Sequence, residues 1–242
     1  RGKVINAREK VTTKAGHAQV MNNVELIHMK QILGLEQGAK YTDTLKLRYG
    51  HIMIMTDQDY DGSHIKGLII NWLDTFWPEL LKIEGFVQCM QTPIVKTINK
   101  SAEMLFYSLQ KYEQWKTDNA DRKGWKIKYY KGLGTSTTTE AKQYFKNMMK
   151  QEYIWGETSA NTIDMAFNRD RSNDRKNWLQ NHDERDILDE SQKVPYSDFI
   201  NKELIHFSNY DLHRSVPHIM DGLKPSQRKI LFSCFKRKLK NE

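Results

Sequence analysis

The stretch GHIMIMTDQDYDGSHIKGLIINWLDTF, residues 50–76, constrains the fold of this chain more than any other. Its first part, HIMIM, is a short apolar run bounded by Gly50 and an acidic cluster, the pattern of a strand buried in a sheet. Its last part places Ile65, Leu68, Ile69, Trp72, Leu73 and Phe76 at i, i+3, i+4, i+7, i+8 and i+11. That is the stripe of an amphipathic helix, with Ser63 as its expected cap. Between strand and helix lie Asp57, Asp59 and Asp61, alternating with spacers. Carboxylates that close raise one another's pKa unless a cation pairs with them. The stretch therefore predicts an α/β layer with a cation-binding turn at the carboxyl end of a strand, the edge where open α/β sheets bind ligands.

The pattern D-x-D-x-D-G also opens a calcium-binding EF-hand loop, but two features exclude that reading. The twelfth position, which needs a bidentate glutamate, is Leu68, and a strand rather than a helix precedes the loop. Hard oxygen ligands with room for water suit magnesium engaged with phosphate. Two such ions about 4 Å apart stabilise both the attacking and the leaving oxygen of a phosphoryl transfer. The simpler reading is an Asx-type turn in which Asp61 caps the helix, a task that does not need three alternating aspartates.

Elsewhere, NNVELIHMKQILGL carries Val24, Ile27, Ile32 and Leu35 at helical spacing and predicts a helix ending near Gly34. GFVQCMQTPIVKTI, MLFYSL and WKIKYY read as strands, and Thr137 with Glu140 forms a capping box for the helix TTEAKQYFKNMM. Residues 151–195 are dense in charge and read as an exposed helix with loops, or as a linker. Beyond Pro195, DFINKELIHF and SQRKILFSCFKRKL read as helices on either side of the turn DGLKP.

Lys and Arg number 38 against 30 Asp and Glu, a net charge of +8, and seven basic residues with no acidic one lie between Lys224 and Lys240. That distribution favours an anionic partner, nucleic acid ahead of membrane, over a merely solubilising surface. Two cysteines, Cys89 and Cys234, exclude a disulfide framework and a four-cysteine zinc site and fit a reducing, intracellular setting. His206, His213 and His218 lack the companion spacing of a zinc site, and His64 reads equally as a phosphate contact or a helix-surface residue. No Walker loop or G-x-S-x-G elbow occurs, and no apolar stretch approaches the length of a membrane span.

LRYGHIMIMTDQDYDGSHIKGLIINWL resembles the acidic signature of the TOPRIM domain, the topoisomerase–primase fold, of eukaryotic-type type IIA DNA topoisomerases. RGKVINAREK, KYYKGLGTST, DFINKELIHFS and RSVPHIMDGLKPSQRKILFSCFKR are similar to successive blocks of the same family, in the same order. Two positions depart from it: Tyr60, where the family commonly has histidine, and Ser226, where it has glycine. The resemblance implies an α/β fold with a Rossmann-like TOPRIM sheet flanked by helices over residues 1–150, lacking its first strand and glutamate motif. A charged helical or linker insert over 151–195 follows, then a mostly helical segment over 196–242 that begins a winged-helix domain.

The resemblance also implies roles. Asp57, Asp59 and Asp61 match the family's catalytic aspartates, which bind Mg2+ beside the scissile phosphate, with Mn2+ or Ca2+ as substitutes. The glutamate of the family's E-G-D-S motif and its DNA-cutting tyrosine have no match here. Arg48–Tyr49, the only Arg-Tyr pair, belongs to the lead into the strand and reads as a packing pair. ATP would be bound by a domain outside this sequence. DNA contacts are implied at Arg1, Lys3 and Asn6, at Lys131, Gly132 and Gly134 in KGLGT, and at Arg175 and Lys176. Further contacts are implied at Lys224, Gln227, Arg228 and Lys229, where a helix N-terminus adds its own attraction for phosphate. The family enzyme is a nuclear homodimer that cuts double-stranded DNA and passes a second duplex through the break. This chain reads as one piece of such an enzyme, unable by itself to relax supercoils. Two other classes fit the same residues. One is a stand-alone TOPRIM nuclease or primase-like enzyme, which would need Glu9 or Glu25 near Asp57. The other is a non-catalytic DNA-binding module that leaves the aspartates idle.

Overall fold

The computed structural model describes residues 4–100, 102–119, 124–130, 135–188 and 191–240. Three short helices, α1 (Ala7–Lys10), α2 (Lys14–Met21) and α3 (Val24–Leu33), lead to strand β1 (Ile52–Ile54) and the long helix α4 (Tyr60–Phe76). After a 3-10 turn, Pro78–Lys82, come β2 (Val87–Met90), β3 (Val95–Ile98), β4 (Glu103–Phe106), α5 (Leu109–Asp118), β5 (Lys126–Tyr129) and α6 (Thr138–Lys146). Next are β6 (Lys150–Ile154), α7 (Ser159–Phe167), α8 (Ser172–Gln180) and β7 (Lys193–Pro195). The final helices are α9 (Tyr196–Phe199), a π-helical turn at Ile200–Leu204, α10 (Ile205–Ser215) and α11 (Pro225–Lys236).

The main sheet has the order β1-β2-β6-β7. β1 and β2 are parallel, with Ile54 opposite Cys89, and α4 supplies the crossover that a parallel pair requires. β6 runs antiparallel to β2 and parallel to β7. A second, antiparallel sheet, β4-β3-β5, carries its own small core of Val95, Phe106 and Tyr112. The run GFVQCMQTPIVKTI thus divides between two sheets. Pro93, which has no amide hydrogen for a ladder, lies in the break.

The capping box of Thr137 and Glu140 is present as the sequence predicts, and α3 ends at Gly34, whose φ of 76° places it in the left-handed region. The face that α3 buries differs from the one read in the sequence. Leu26 and Leu33 are buried while Val24 and Ile32 are exposed, and of the expected apolar positions Leu35 joins the main core. In α4 the expected Leu68, Trp72 and Leu73 are buried, but so are Lys66, Gly67, Ile70 and Asn71. Helices α1, α7 and α10 and the π-helical turn cover its second side, so α4 is a middle layer rather than a surface helix.

The charged region 151–195 holds more structure than its composition predicts. It supplies nearly all of β6 and the whole of β7, and so completes the sheet begun by β1 and β2. Tyr153, Ile163 and Val194 are essentially inaccessible. Only α8, with no buried residue, matches the expected exposed helix. The short apolar runs YIW and MAF bury Tyr153, Met165 and Phe167 in a single strand and a single helix, and Asp164 beside them is drawn into the ion pair with Arg8.

Candidate metal and nucleic-acid site

The acidic turn is built by the start of α4. Asp59 is extended (φ −131°, ψ 177°), and its side chain accepts from the Gly62 amide at 2.8 Å, so Asp59 is the helix cap. The sequence pointed to Ser63, or to Asp61, for that role. Ser63 instead lies one turn inside the helix, buried, and donates to Glu203 Oε1 at 2.6 Å. Gly62 permits the tight approach: a Cβ there would lie 2.0 Å from the Asp57 carbonyl oxygen. Asp59 and Asp61 also sit where the positive end of the helix dipole favours negative charge. Gln58 ties the turn to the sheet, donating to Gln91 just beyond β2 at 3.0 Å.

The three aspartates do different work. Asp57 follows the carboxyl end of β1, Asp59 caps α4, and both oxygens of Asp61 accept from Arg214 of α10, at 2.7 and 3.1 Å. Arg214 also bonds Asp211 at 2.9 Å and lies over the rings of Phe207 and Tyr210. Its carboxylate partners raise its already high pKa further. Around this pair the two helices match turn by turn. Tyr60 meets Tyr210 with ring centroids 5.0 Å apart, and His64 stacks on Phe207 at 4.1 Å. Burial lowers the pKa of His64 against the pull of Asp211 and Asp61, so its ring is a packing group against α10.

Among the described residues, no three or more His, Cys, Asp or Glu side chains converge in a metal-binding group. The donor chemistry nevertheless suits a hard cation at Asp57 and Asp59. Magnesium is commonly held by one or two carboxylates plus substrate phosphate and water, and Asp59 spends only Oδ1 on its cap. Asp61 differs in facing a guanidinium.

A basic cleft of about 620 Å³ opens between the end of α10 and the start of α11, lined by Tyr210, His213, Arg214, Lys224, Ser226 and Lys229. Pro225 at the first position of α11 suits its fixed φ to a helix start. Ser226, where the resembling family has glycine, thus lies on the cleft wall. Arg214 joins the two features, since it touches the acidic turn and lines the basic cleft.

The implied DNA-contact residues separate into groups. Lys224 and Lys229 line the cleft. Gln227 accepts from the Lys224 amide at 2.8 Å and caps the helix. Arg228 forms a two-pronged pair with Asp221, and its hydrogen bond holds the Asp221 carboxyl at about 2. Arg175 donates to the carbonyls of Met165 and Asn168 at the end of α7, whereas Lys176 stands exposed on α8. Asn6 caps α1, accepts from Asn71 at 2.8 Å and donates to the Phe167 carbonyl at 3.0 Å. Neighbouring Arg8 binds Asn71, Asp74 and Asp164, so this block ties α1 to α4 and α7. Arg1, Lys3, Lys131, Gly132 and Gly134 lie outside the described residues. Arg48 donates its amide to the Leu33 carbonyl at 3.0 Å, and its side chain lies near Gly34, in keeping with a packing role. Arg214 and Glu203 were not singled out by sequence reasoning. Both lie within blocks that carry the resemblance, but no spacing rule links them to aspartates 140 or more positions away.

Comparisons with known proteins agree over most of the chain. The family model described as the C-terminal associated domain of TOPRIM matches residues 90–212, about half of the chain. The family model for DNA gyrase/topoisomerase IV matches residues 214–242. DNA topoisomerase 2 of Plasmodium falciparum is 51% identical over 247 residues, and that of Arabidopsis thaliana 50% over 249. Human DNA topoisomerase 2-alpha is 48% identical over 262 residues. Each alignment takes in 100% of this chain and 17% of the relative, so the chain spans about a sixth of their length. The crystal structure of the Plasmodium falciparum topoisomerase II DNA-binding, cleavage and re-ligation domain superposes with a TM-score of 0.86 at 51% identity. That superposition covers 99% of this chain and 33% of the other.

Proposed function

Because this chain belongs to the TOPRIM-associated family of eukaryotic-type type II DNA topoisomerases, we propose that it forms the central part of a DNA-binding and cleavage core. The complete enzyme would be a nuclear, ATP-dependent homodimer acting on double-stranded DNA. The observation that carries this reading is the shared arginine: Arg214 connects the acidic turn to the basic cleft, so carboxylates and phosphate-binding cations form one continuous site. Among the described residues, no helix is long and apolar enough to cross a membrane, and the cleft suits nucleic acid as its anion.

In this reading Asp57 and Asp59 hold the divalent ion, and Asp61 is kept beside them by Arg214. Lys224, Lys229 and the N-terminus of α11 bind backbone phosphate and fix the strand's position. Arg214 adds a guanidinium at the border between the two. Bound Mg2+ would supply charge stabilisation at the scissile phosphate. In this proposal the nucleophilic tyrosine and the ATP-binding domain belong to other parts of the enzyme.

Mn2+ titration followed by electron paramagnetic resonance tests the metal assignment. The wild-type chain is expected to bind Mn2+ more tightly when a short duplex is present. Asp57→Asn is expected to lose that binding while still retaining DNA. A folded Asp57→Asn variant that binds Mn2+ as well as wild type would instead favour the non-catalytic DNA-binding module.

A further inference from the structure

Helix α4 carries a lysine in its interior where packing alone calls for an apolar side chain. Lys66 is only 2% exposed, pairs with Glu203, and has its ammonium 5.7 Å from the centre of the Phe199 ring. Taking Lys66 out of water beside Glu203, whose side chain is 19% exposed, costs desolvation that the pair's attraction repays only if the remaining hydrogen bonds are also made, and well-packed apolar residues often serve stability better. Glu203 makes such a further bond, accepting from Ser63 Oγ at 2.6 Å. Ser63 in turn donates its amide to the Asp59 carbonyl at 3.1 Å, and its one hydroxyl hydrogen goes to Glu203, the nearer acceptor, with Oγ 3.3 Å from that same carbonyl. A chain of contacts thus runs from Glu203 through Ser63 to Asp59, and a second from Glu203 through Lys66 into the next turn of the same helix. Glu203 lies in the π-helical turn Ile200–Leu204. Such a turn inserts one residue into a helix and re-aims the side chains around it, and it recurs at functional sites.

We propose that Glu203 is a positioning residue for the acidic turn: by gripping Ser63 and Lys66 it fixes the end of α4 from which Asp57 and Asp59 are presented. This inference rests on the metal reading above and adds a residue to it from a helix more than 140 positions further along the chain. Arg214 and Phe207 lie further along the same continuous helix and meet Asp61 and His64, so the helix that carries Glu203 holds the whole first part of α4. An apolar pair at positions 66 and 203 could fill the same space but could not hold Ser63.

The full 242-residue chain can be tested with three variants: Ser63→Ala, Glu203→Gln, and the double change Lys66→Met with Glu203→Leu. Melts and Mn2+ titrations are read for each, together with hydrogen exchange of the Gly62 and Ser63 amides in the absence of metal. Ser63→Ala is expected to keep a cooperative melt while its Mn2+ affinity falls about tenfold, the scale of losing a support behind a metal ligand. The double variant is expected to melt at or above the wild-type temperature, yet to show the same weakened Mn2+ binding and faster exchange at the two amides. Glu203→Gln, which weakens the grip on Ser63 and Lys66, is expected to lower Mn2+ affinity as well, and wild-type affinity in folded Ser63→Ala, Glu203→Gln and the double variant would overturn the proposal. If Asp57→Asn also binds Mn2+ normally, the metal reading itself fails and this inference falls with it. If Asp57→Asn loses binding while the Ser63 and Glu203 variants do not, only the positioning role is refuted.

Discussion

Gly62→Ala is expected to damage the acidic turn while leaving the core nearly intact. An ideal Cβ at this position would stand 2.0 Å from the Asp57 carbonyl oxygen and 3.1 Å from both its carbon and Thr56 Oγ1. Ordinary contact begins near 3.4 Å, so the Asp57 carbonyl and the start of α4 must part by about 1.4 Å. The closest obstacle is backbone, and Gly62 itself donates its amide to the Asp59 cap at 2.8 Å, so a shift of this residue also disturbs the cap. A displacement of about 1 Å at a reacting group can cost about 10²-fold in rate, and two ligands separated by such a shift lose much of their joint hold on a cation. The stability effect is smaller because two terms oppose each other. Alanine in a helix interior gains about 1 kcal/mol over glycine, and overpacking costs about 1–3 kcal/mol. The net is a loss of about 0–2 kcal/mol, or up to about 8 °C in Tm for a chain of this size. Calorimetry with parallel Mn2+ titration measures both quantities. A variant that melts higher than wild type and binds Mn2+ equally well would show that the turn has room the structure denies it.

Two further outcomes follow from the charges. Burial alone would raise the pKa of Glu140, but hydrogen bonds from Lys128, the Thr137 amide and the Tyr130 hydroxyl outweigh it and hold the carboxyl at about 2. A folded-state pKa below the unfolded one gives stability that is present above the ordinary value of 4.5 and lost as pH falls toward 2. Glu140→Gln should therefore flatten the acid side of the Tm–pH curve in that window, and an unchanged acid limb would contradict the assignment. In duplex binding measured against salt, Lys224→Gln and Lys229→Gln should each reduce the slope of log K on log salt by about 0.9. Arg175→Gln should leave the slope unchanged, because its guanidinium is spent on the Met165 and Asn168 carbonyls. A slope change for Arg175→Gln as large as for Lys229→Gln would place DNA on α8 as well.

Local periodicity made several features readable from the sequence. The short apolar run before Asp57, the helical stripe after Ser63 and the Thr137–Glu140 box depend on neighbours within four residues or so, and the structure contains the strand, the helix and the box. Strands β6 and β7 were hidden because five and three residues among many charges carry too little period to register. The use made of individual polar groups was less legible still. Asp59 rather than Ser63 caps α4 because Ser63 is drawn inward by a carboxylate 140 positions away, and Asp61 faces Arg214 across 153 positions. Composition placed cations near Lys224, but only the packed turn shows Arg228 bound to Asp221 while Lys224 and Lys229 face the cleft. Backbone preference and hydrophobic period act over one or two turns, and the sequence displays them directly. Which charge meets which, and so which side chain remains to meet a ligand, depends on how distant elements are stacked, and that is decided only when the chain folds.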